Sequence, residues 1–297
     1  MKKRLIVSFC LLSGLFFCVQ AQEIKTTVDN LAAYHAKADS IQGWKKSGLI
    51  GITFGQTALS NWAAGGDNTV SGDFFLNLSA NYLKNQWFWD NNLSLQYGMI
   101  SSSAYDYWQK SADKINFASI GGRKFSDKWA FALLLNFNTQ FARGYDYGKS
   151  KDVYISTFMA PAYLDMALGF TYKPNPKYTI FLSPLAERAI FVLDDSLSNA
   201  GALSDPGKKV KWETGAYIKA TTNQEILQNL SLISSLDLFT PYNKDFGNVD
   251  LNWDLLLNYK LTKLLTATVS TTLRYYDNEI KKVQFKEILG LGLTVNF

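Results

Sequence analysis

QFKEILGLGLTVNF, running from Gln284 to Phe297, is the stretch that decides the fold. Taken in steps of two from its end, Phe297, Val295, Leu293, Leu291 and Leu289 are apolar. The residues between them, Asn296, Thr294, Gly292, Gly290 and Ile288, are mostly small or polar. An extended chain points successive side chains to opposite faces, so this alternation describes a strand with one apolar and one wet face. A soluble sandwich gives the same pattern. A last strand that ends on an aromatic residue with a bare backbone edge is, however, an aggregation hazard in water. Pairing it with the first strand of the same sheet removes that edge. The expectation is an all-β fold, a closed antiparallel up-and-down transmembrane β-barrel.

Working outward, about twelve segments alternate at roughly the ten-residue length that a tilted membrane strand needs. They lie near 48–57, 68–83, 86–100, 113–125, 127–143, 160–173, 177–193, 208–221, 229–240, 248–261, 263–276 and 284–297. Short polar breaks at 84–86, 126–127, 174–176, 222–228 and 262 take turns with longer Gly-, Asp- and Ser-rich connections. Short turns on one rim and long loops on the other are the habit of outer-membrane barrels, and an even strand number puts both termini on the short-turn, periplasmic side. Pro184 inside the seventh segment predicts a bulge.

The two parities differ in kind. Tyr82, Trp87, Trp89, Trp129, Tyr172, Tyr178 and Tyr259 sit within a few residues of the short turns and share the apolar parity of their strands. Amphipathic rings are favoured where hydrocarbon meets headgroup, so these residues read as an aromatic girdle. The opposite parity carries Asp73, Asp90, Asp165, Lys211, Lys219, Asp237, Asp250, Asp254 and Arg274, which read as lumen-lining. Unpaired charges in a tight lumen are costly, so the acids and bases are expected to form water-bridged ion pairs across it. Phe75, Phe239 and Leu256 share that parity and would narrow it further.

The start of the chain differs from the rest. Lys2, Lys3 and Arg4 precede an apolar run from Leu5 to Val19, and Val19 and Ala21 occupy the small-residue positions of a cleavage site. Residues 1–21 therefore read as a secretory signal peptide. Residues 22–47 read as a periplasmic N-terminal segment. There Val28, Leu31, Ala32, His35, Ala38 and Ile41 recur at helical spacing and predict a short helix ending at Gly43. The barrel then occupies 48–297.

Composition excludes several functions. With 47% hydrophobic and 19% charged residues the chain is not disordered. Cys10 and Cys18 both fall in the signal, and Phe17 stands where lipoprotein processing at Cys18 needs a small residue. The mature chain thus lacks thiol catalysis, disulfides and thiolate metal sites. Loss of Lys2, Lys3 and Arg4 lowers the formal charge from +5 to +2 (5 − 3), which gives no support for nucleic-acid binding. The sole histidine, His35, precedes the barrel, so no Ser-His or Asp-His mechanism is expected. Asp250 and Asp254 share one strand face and form a conceivable carboxylate pair, but hydrogen bonding to Lys211, Lys219 or Arg274 accounts for them. The chain is expected not to be an enzyme and to hold no cofactor or metal. Gly65-Gly66, in the first long connection, permits positive φ and close backbone approach, and reads as a tight turn at the barrel mouth, with ligand contact as the alternative.

Five stretches resemble one family. They are SNWAAGGDN (Ser60 to Asn68), FFLNLSANYLKNQWFWDNNLSLQYG (Phe74 to Gly98), TQFARGYDY (Thr139 to Tyr147), APAYLDMALGFTYKPNPKYTIFLSPL (Ala160 to Leu185) and the closing QFKEILGLGLTVNF. They are similar to an outer-membrane barrel family of Bacteroidota, the domain of unknown function numbered three thousand and seventy-eight, from about residue 43 to the end. Arg143 departs from the small or Pro-like residue expected before Gly144. The closing Leu293, Val295 and Phe297 resemble the signal read by the barrel assembly machinery. The resemblance implies a barrel in outer-membrane lipid but no established activity. The expected function is a narrow or plugged barrel serving as a scaffold or subunit among envelope protein partners. The alternatives are a small-solute diffusion or uptake pore and, least favoured, a membrane hydrolase.

Overall fold

Alternation at period two builds long antiparallel strands throughout. In the computed structural model, which describes residues 42–57, 67–147, 152–175, 177–200, 206–242, 247–262, 265–276, 280–293 and 295–296, these are β1 (Gly43–Thr57), β2 (Thr69–Lys84), β3 (Trp87–Ser102), β4 (Gln109–Lys124) and β5 (Trp129–Thr139). A two-strand hairpin follows, β6 (Gly144–Tyr145) and β7 (Tyr154–Ser156). Then come β8 (Ala162–Asn175), β9 (Tyr178–Phe191), a single-turn helix α1 (Asp195–Asn199), β10 (Val210–Leu227) and β11 (Leu230–Pro241). The last are β12 (Asp250–Lys260), β13 (Leu265–Tyr276), β14 (Ile280–Leu293) and β15 (Val295–Asn296). The signal segment, His35 and its helix, Gly65-Gly66, Thr294 and Phe297 lie outside the described residues. No described helix is long and apolar enough to cross a membrane.

All strands except the β6–β7 hairpin join one 13-stranded sheet, in the order β14-β13-β12-β11-β10-β9-β8-β5-β4-β3-β2-β1-β15. Its ladders are antiparallel between chain neighbours, with β5 meeting β8 across the hairpin. At one end Leu293 of β14 pairs with Leu265 of β13. Two and three residues later, Val295 and Asn296 of β15 pair with Ile50 and Leu49 of β1.

The tight turns explain the register. Asn85 and Asn229 sit at φ 55° and 65° in the two-residue connections β2–β3 and β10–β11. Asn tolerates that left-handed region, and such turns match the twist of paired strands. In the β4–β5 turn, Ser126 Oγ accepts from the Trp129 amide at 3.0 Å.

Several expected boundaries are corrected. β1 begins at Gly43, because residues 43–47 continue its ladder with β2. β5 stops at Thr139 and not at 143, since Asp113 captures the Phe141 and Ala142 amides at 2.7 and 2.8 Å. Residues 222–227 are strand, not turn. The bulge expected at Pro184 is present: Pro184 and Leu185 of β9 lie opposite Ala216 alone, and Ser183 and Pro184 lie opposite Gly169 alone. Ser183 Oγ donates to the Leu168 and Leu185 carbonyls at 2.8 and 2.7 Å, and Tyr242 Oη donates to that of Pro184 at 2.7 Å. These side chains serve backbone acceptors that the disrupted ladder leaves open. A Cβ at Gly169 would collide with the Leu182 carbonyl, so the strands approach closely only because that residue is glycine.

The sheet's two faces are inverted relative to a soluble protein. One face exposes Ile52, Phe74, Leu78, Trp89, Phe131, Leu133, Phe170, Ile218 and Trp253. The other buries Asp73, Asp90, Asn92, Ser94, Gln96, Glu213, Asp250 and Asp254 beside an apolar cluster.

Candidate functional site: the polar face of the sheet

The centre of the buried face is Arg188 on β9. Its Nε donates to Asp165 Oδ1 of β8 at 2.8 Å, and its Nη1 donates to Asp250 Oδ2 of β12 at 3.1 Å. β12 is separated from β9 by β10 and β11, so this second bond ties together parts of the sheet that share no ladder. The guanidinium also lies 4.1 Å from the centroid of the Phe239 ring of β11. An arginine suits this place because its planar fork binds two carboxylates and stacks on an aromatic face at once.

Asparagines extend the network sideways. Asn136 Nδ2 donates to Asp165 Oδ2 at 3.4 Å, and Asn116 Nδ2 donates to Asn136 Oδ1 and Asn138 Oδ1 at 2.8 and 2.7 Å. A second cluster centres on Asp237, which pairs with Lys219 at 2.8 Å and accepts from the Tyr217 and Ser235 hydroxyls. Lys211 pairs with Glu213 at 2.7 Å, and Asn252 Nδ2 donates to Asp254 Oδ2 at 2.8 Å. Around these packs the apolar cluster of Ile120, Leu134, Phe181, Tyr217 and Phe239, with Phe88 against it.

Of the residues singled out from the sequence, Asp73, Asp90, Asp250 and Asp254 are buried on this face, and Asp165, Lys211, Lys219 and Asp237 are partly buried in the pairs just described. Arg274 is half-buried on β13. Asp250 pairs with Arg188, a residue outside the expected set of Lys211, Lys219 and Arg274. Phe239 is buried on this face as expected. Arg188 itself was missed, as were Glu187 on its neighbouring parity and the anchor Lys110–Asp113 at 2.8 Å.

The seven rings all carry the exposed parity. Trp87, Trp89, Tyr178 and Tyr259 are exposed, Trp129 stacks on Tyr172 at 4.5 Å, and Tyr82 packs on Trp44 at 5.1 Å. Trp44 is an unforeseen member and also touches Trp89 at 5.8 Å. A second set, Tyr97, Trp212 and Trp253, is exposed on the same face towards the long connections.

The long connections fold on each other. Ala160, Val192 and Leu197 form a small core with Tyr154 against it. Tyr154 Oη donates to the Asp194 carboxylate at 3.1 Å, which caps α1 by accepting from the Leu197 amide at 3.0 Å. Arg143, the departure noted before Gly144, lies 4.5 Å from the Tyr154 ring centroid. No group of three or more His, Cys, Asp or Glu able to hold a metal occurs among the described residues.

Residues 54–145 match the family model of DUF3078, a protein of unknown function. This is the family that the sequence resembled, over a narrower span than residue 43 to the end. The DUF3078 match runs from β1 through β5 into β6. No curated protein matches the chain. Among solved structures it is similar to an outer membrane channel from Pseudomonas putida F1, with 15% identity over 86% of this chain and 96% of that chain and a TM-score of 0.44. The translocator domain of the autotransporter NalP from Neisseria meningitidis is 10% identical over 94% of this chain and 98% of that chain, with a TM-score of 0.41. The NanC porin is 8% identical over 83% of this chain and 98% of that chain, with a TM-score of 0.40. At such identities the function of this chain has to be read from its own geometry.

Proposed function

We propose that the chain is an outer-membrane β-barrel with a constricted lumen, acting as a scaffold or subunit of an envelope complex. The observation that carries this is the inverted polarity of the sheet, apolar rings and aliphatics exposed against buried carboxylates and amides. In water that arrangement forfeits the hydrophobic driving force; in a bilayer it is the stable one. Barrel closure is supported by the pairing of β15 with β1 while β14, one residue upstream, pairs with β13. Treating β14 and β15 as one strand turns the 13-stranded sheet into twelve staves (13 − 1). On this reading the two aromatic sets mark the two interfaces. Trp89 and Tyr97, eight residues apart on β3, are separated by about 27 Å along the strand and about 20 Å along the membrane normal at ~40° tilt.

Constriction is supported by the Arg188 tie and the apolar cluster, which fill the space between β4 and β11. The ion-paired acids are occupied by structural partners, so we read the protein as non-enzymatic. Barrel assembly machinery and envelope proteins are its proposed partners.

The test of the membrane reading is Leu133→Arg. Leu133 is 55% exposed on the apolar face. In a bilayer the change costs about 2–4 kcal/mol and lowers the yield of heat-modifiable barrel, whereas on a water-exposed surface it is nearly neutral. Wild-type yield and stability in the membrane fraction would overturn the proposal.

A diffusion pore is the second reading. On the polar face Asp165, Lys211, Lys219 and Asp237 keep 20%, 34%, 19% and 22% of their side chains exposed, and such access suits a wet passage. Steady single-channel conductance in planar bilayers favours the pore; a silent trace favours the plugged scaffold.

A further inference from the structure

On the exposed face, next to the short turns, the sheet has a gap where a side chain should be. Gly121 of β4 lies in register between Trp89 of β3 and Leu133 of β5. The next row towards the turn is Trp87, Arg123 and Phe131. The gap is part of an open groove of about 730 Å³, lined by Trp87, Gly121, Arg123, Phe125, Phe131 and Leu133 among others. A Cβ at Gly121 would stand 3.4 Å from Trp89 Cδ1, so the gap has a firm wall. Trp89 is fixed there because its Nε1 donates to Ser119 Oγ at 2.9 Å, and Ser119 donates in turn to Asn91 Oδ1 at 2.8 Å. The tryptophan is thereby held out of the gap.

The turn end of this groove is basic. Arg123 Nε and Nη2 both donate to Gln86 Oε1, at 3.2 and 3.1 Å, and its guanidinium lies 5.8 Å from the Trp87 ring centroid. Both partners are neutral, and a guanidinium has five donors. The charge is thus positioned without being answered by them. Lys84, Lys124 and Lys128 flank or lie in the same two turns, 84–87 and 124–129, against one acid there, Asp127. An apolar trough with aromatic walls, opening onto a fixed cation at the ring level, matches a molecule with a hydrocarbon tail and an anionic head.

We propose that this groove binds one glycerophospholipid, with an acyl chain laid over Gly121 and the phosphate at Arg123. The inference rests on the membrane-barrel reading. On that reading the short-turn rim faces the periplasmic leaflet, so the ligand is a phospholipid and not lipopolysaccharide. Gly121 has a role here that strand propensity opposes, since glycine weakens a strand interior.

The experiment is native mass spectrometry of full-length protein extracted from membranes in mild detergent, with the bound lipid identified by its mass. Gly121→Leu fills the trough on the exposed face and Arg123→Gln removes the charge, while Lys260→Gln alters an exposed lysine at the same rim on β12. Wild type and Lys260→Gln should retain one phospholipid, Arg123→Gln about tenfold less, the size of one lost charge-assisted hydrogen bond, and Gly121→Leu a comparable amount less because its side chain occupies the acyl-chain path. Equal retention by all four proteins would mean general annular lipid and would overturn the proposal, as would lipopolysaccharide as the bound species. Protein that stays soluble without detergent would defeat the barrel reading along with this one. A heat-modifiable membrane protein whose lipid ignores both groove variants would defeat this one alone.

Discussion

Replacing Arg188 with Met should destabilise the protein by about 3.5–4 kcal/mol. The guanidinium side chain is 13% exposed and faces Asp165 and Asp250, at 20% and 11%. At a separation of ~4 Å and an effective dielectric of ~20, each attraction is worth about 4 kcal/mol before desolvation is subtracted. The net value of the intact pairs is much smaller, because all three groups left water to make them. The variant's cost comes from what remains: two carboxylates held in a space built for a cation between them. Breaking a buried pair costs about 3–5 kcal/mol, and the residual exposure of both acids puts this case at the low end. Loss of the stack on Phe239 adds about 0.5–1 kcal/mol. The assay is urea unfolding from lipid vesicles, read by gel mobility of the unheated protein. A second variant, Arg188→Met with Asp165→Asn and Asp250→Asn, removes the orphaned charges and should recover most of the loss. An unchanged midpoint for Arg188→Met, or a triple variant worse than the single, would refute the account of Arg188 as the charge that holds this face together.

Asp250→Ala with Asp254→Ala should break the Arg188 tie to β12 and the Asn252 bond to Asp254, loosen the interior and raise conductance or the entry of small antibiotics; a wild-type channel already as open as a general porin, and indifferent to the change, would contradict a constricted lumen. The Leu197 amide, followed by the Tyr154 hydroxyl, holds the Asp194 carboxyl below the usual Asp range despite an opposing contribution from desolvation. A depressed folded pKa gives stability that is present above the unfolded value, about 3.9, and lost as pH falls through the folded one. Limited proteolysis of the β9–β10 connection should therefore accelerate below about pH 4. Asp194→Ala should be cut faster already at neutral pH, whereas Asp194→Asn, which keeps a cap, should behave nearly as wild type at neutral pH and lose the acid response. Indifference of both variants would remove the cap from the account.

The strands were legible because their signal is redundant. Trp87 to Gly98 alternates with exceptions only at Phe88 and Asn91, and the structure buries Asp90, Asn92, Ser94, Gln96 and Gly98 while leaving Trp87, Trp89 and Tyr97 exposed. Turn chemistry agreed with that period at Asn85 and Asn229. The connections were less legible. The β6–β7 hairpin and α1 are held by Tyr154, Asp194, Val192 and Ala160, contacts between residues about forty apart at most in sequence. No local periodicity reports such pairings, and composition marks only that a connection is present. Trp44 escaped for a different reason. It follows a glycine that resembles a helix stop, and only its ladder with Tyr82 makes it strand.

Arg188 escaped because parity is a running count, and a bulge changes the count. Read in unbroken steps of two from buried Phe181 and Ser183, the buried face of β9 would continue through Leu185 and Glu187 and put Arg188 among the apolar rings outside. The structure instead exposes Pro184 and Leu185 together and resumes burial at Ala186. The extra residue turns every later side chain of the strand over. Arg188 then faces Asp165 and Asp250, and Glu187 passes to the other parity, where its carboxylate accepts from Thr214 Oγ1 at 2.6 Å. Proline at the first bulged position, the Ser183 hydroxyl on the Leu168 and Leu185 carbonyls, and glycine at 169 opposite are parts of one device. Its effect is to deliver a single cation to the sheet's buried face. The local irregularity in β9 and the central charge of the site are thus one feature of the sequence: without Pro184 the same residues would form a regular strand with its arginine on the apolar side.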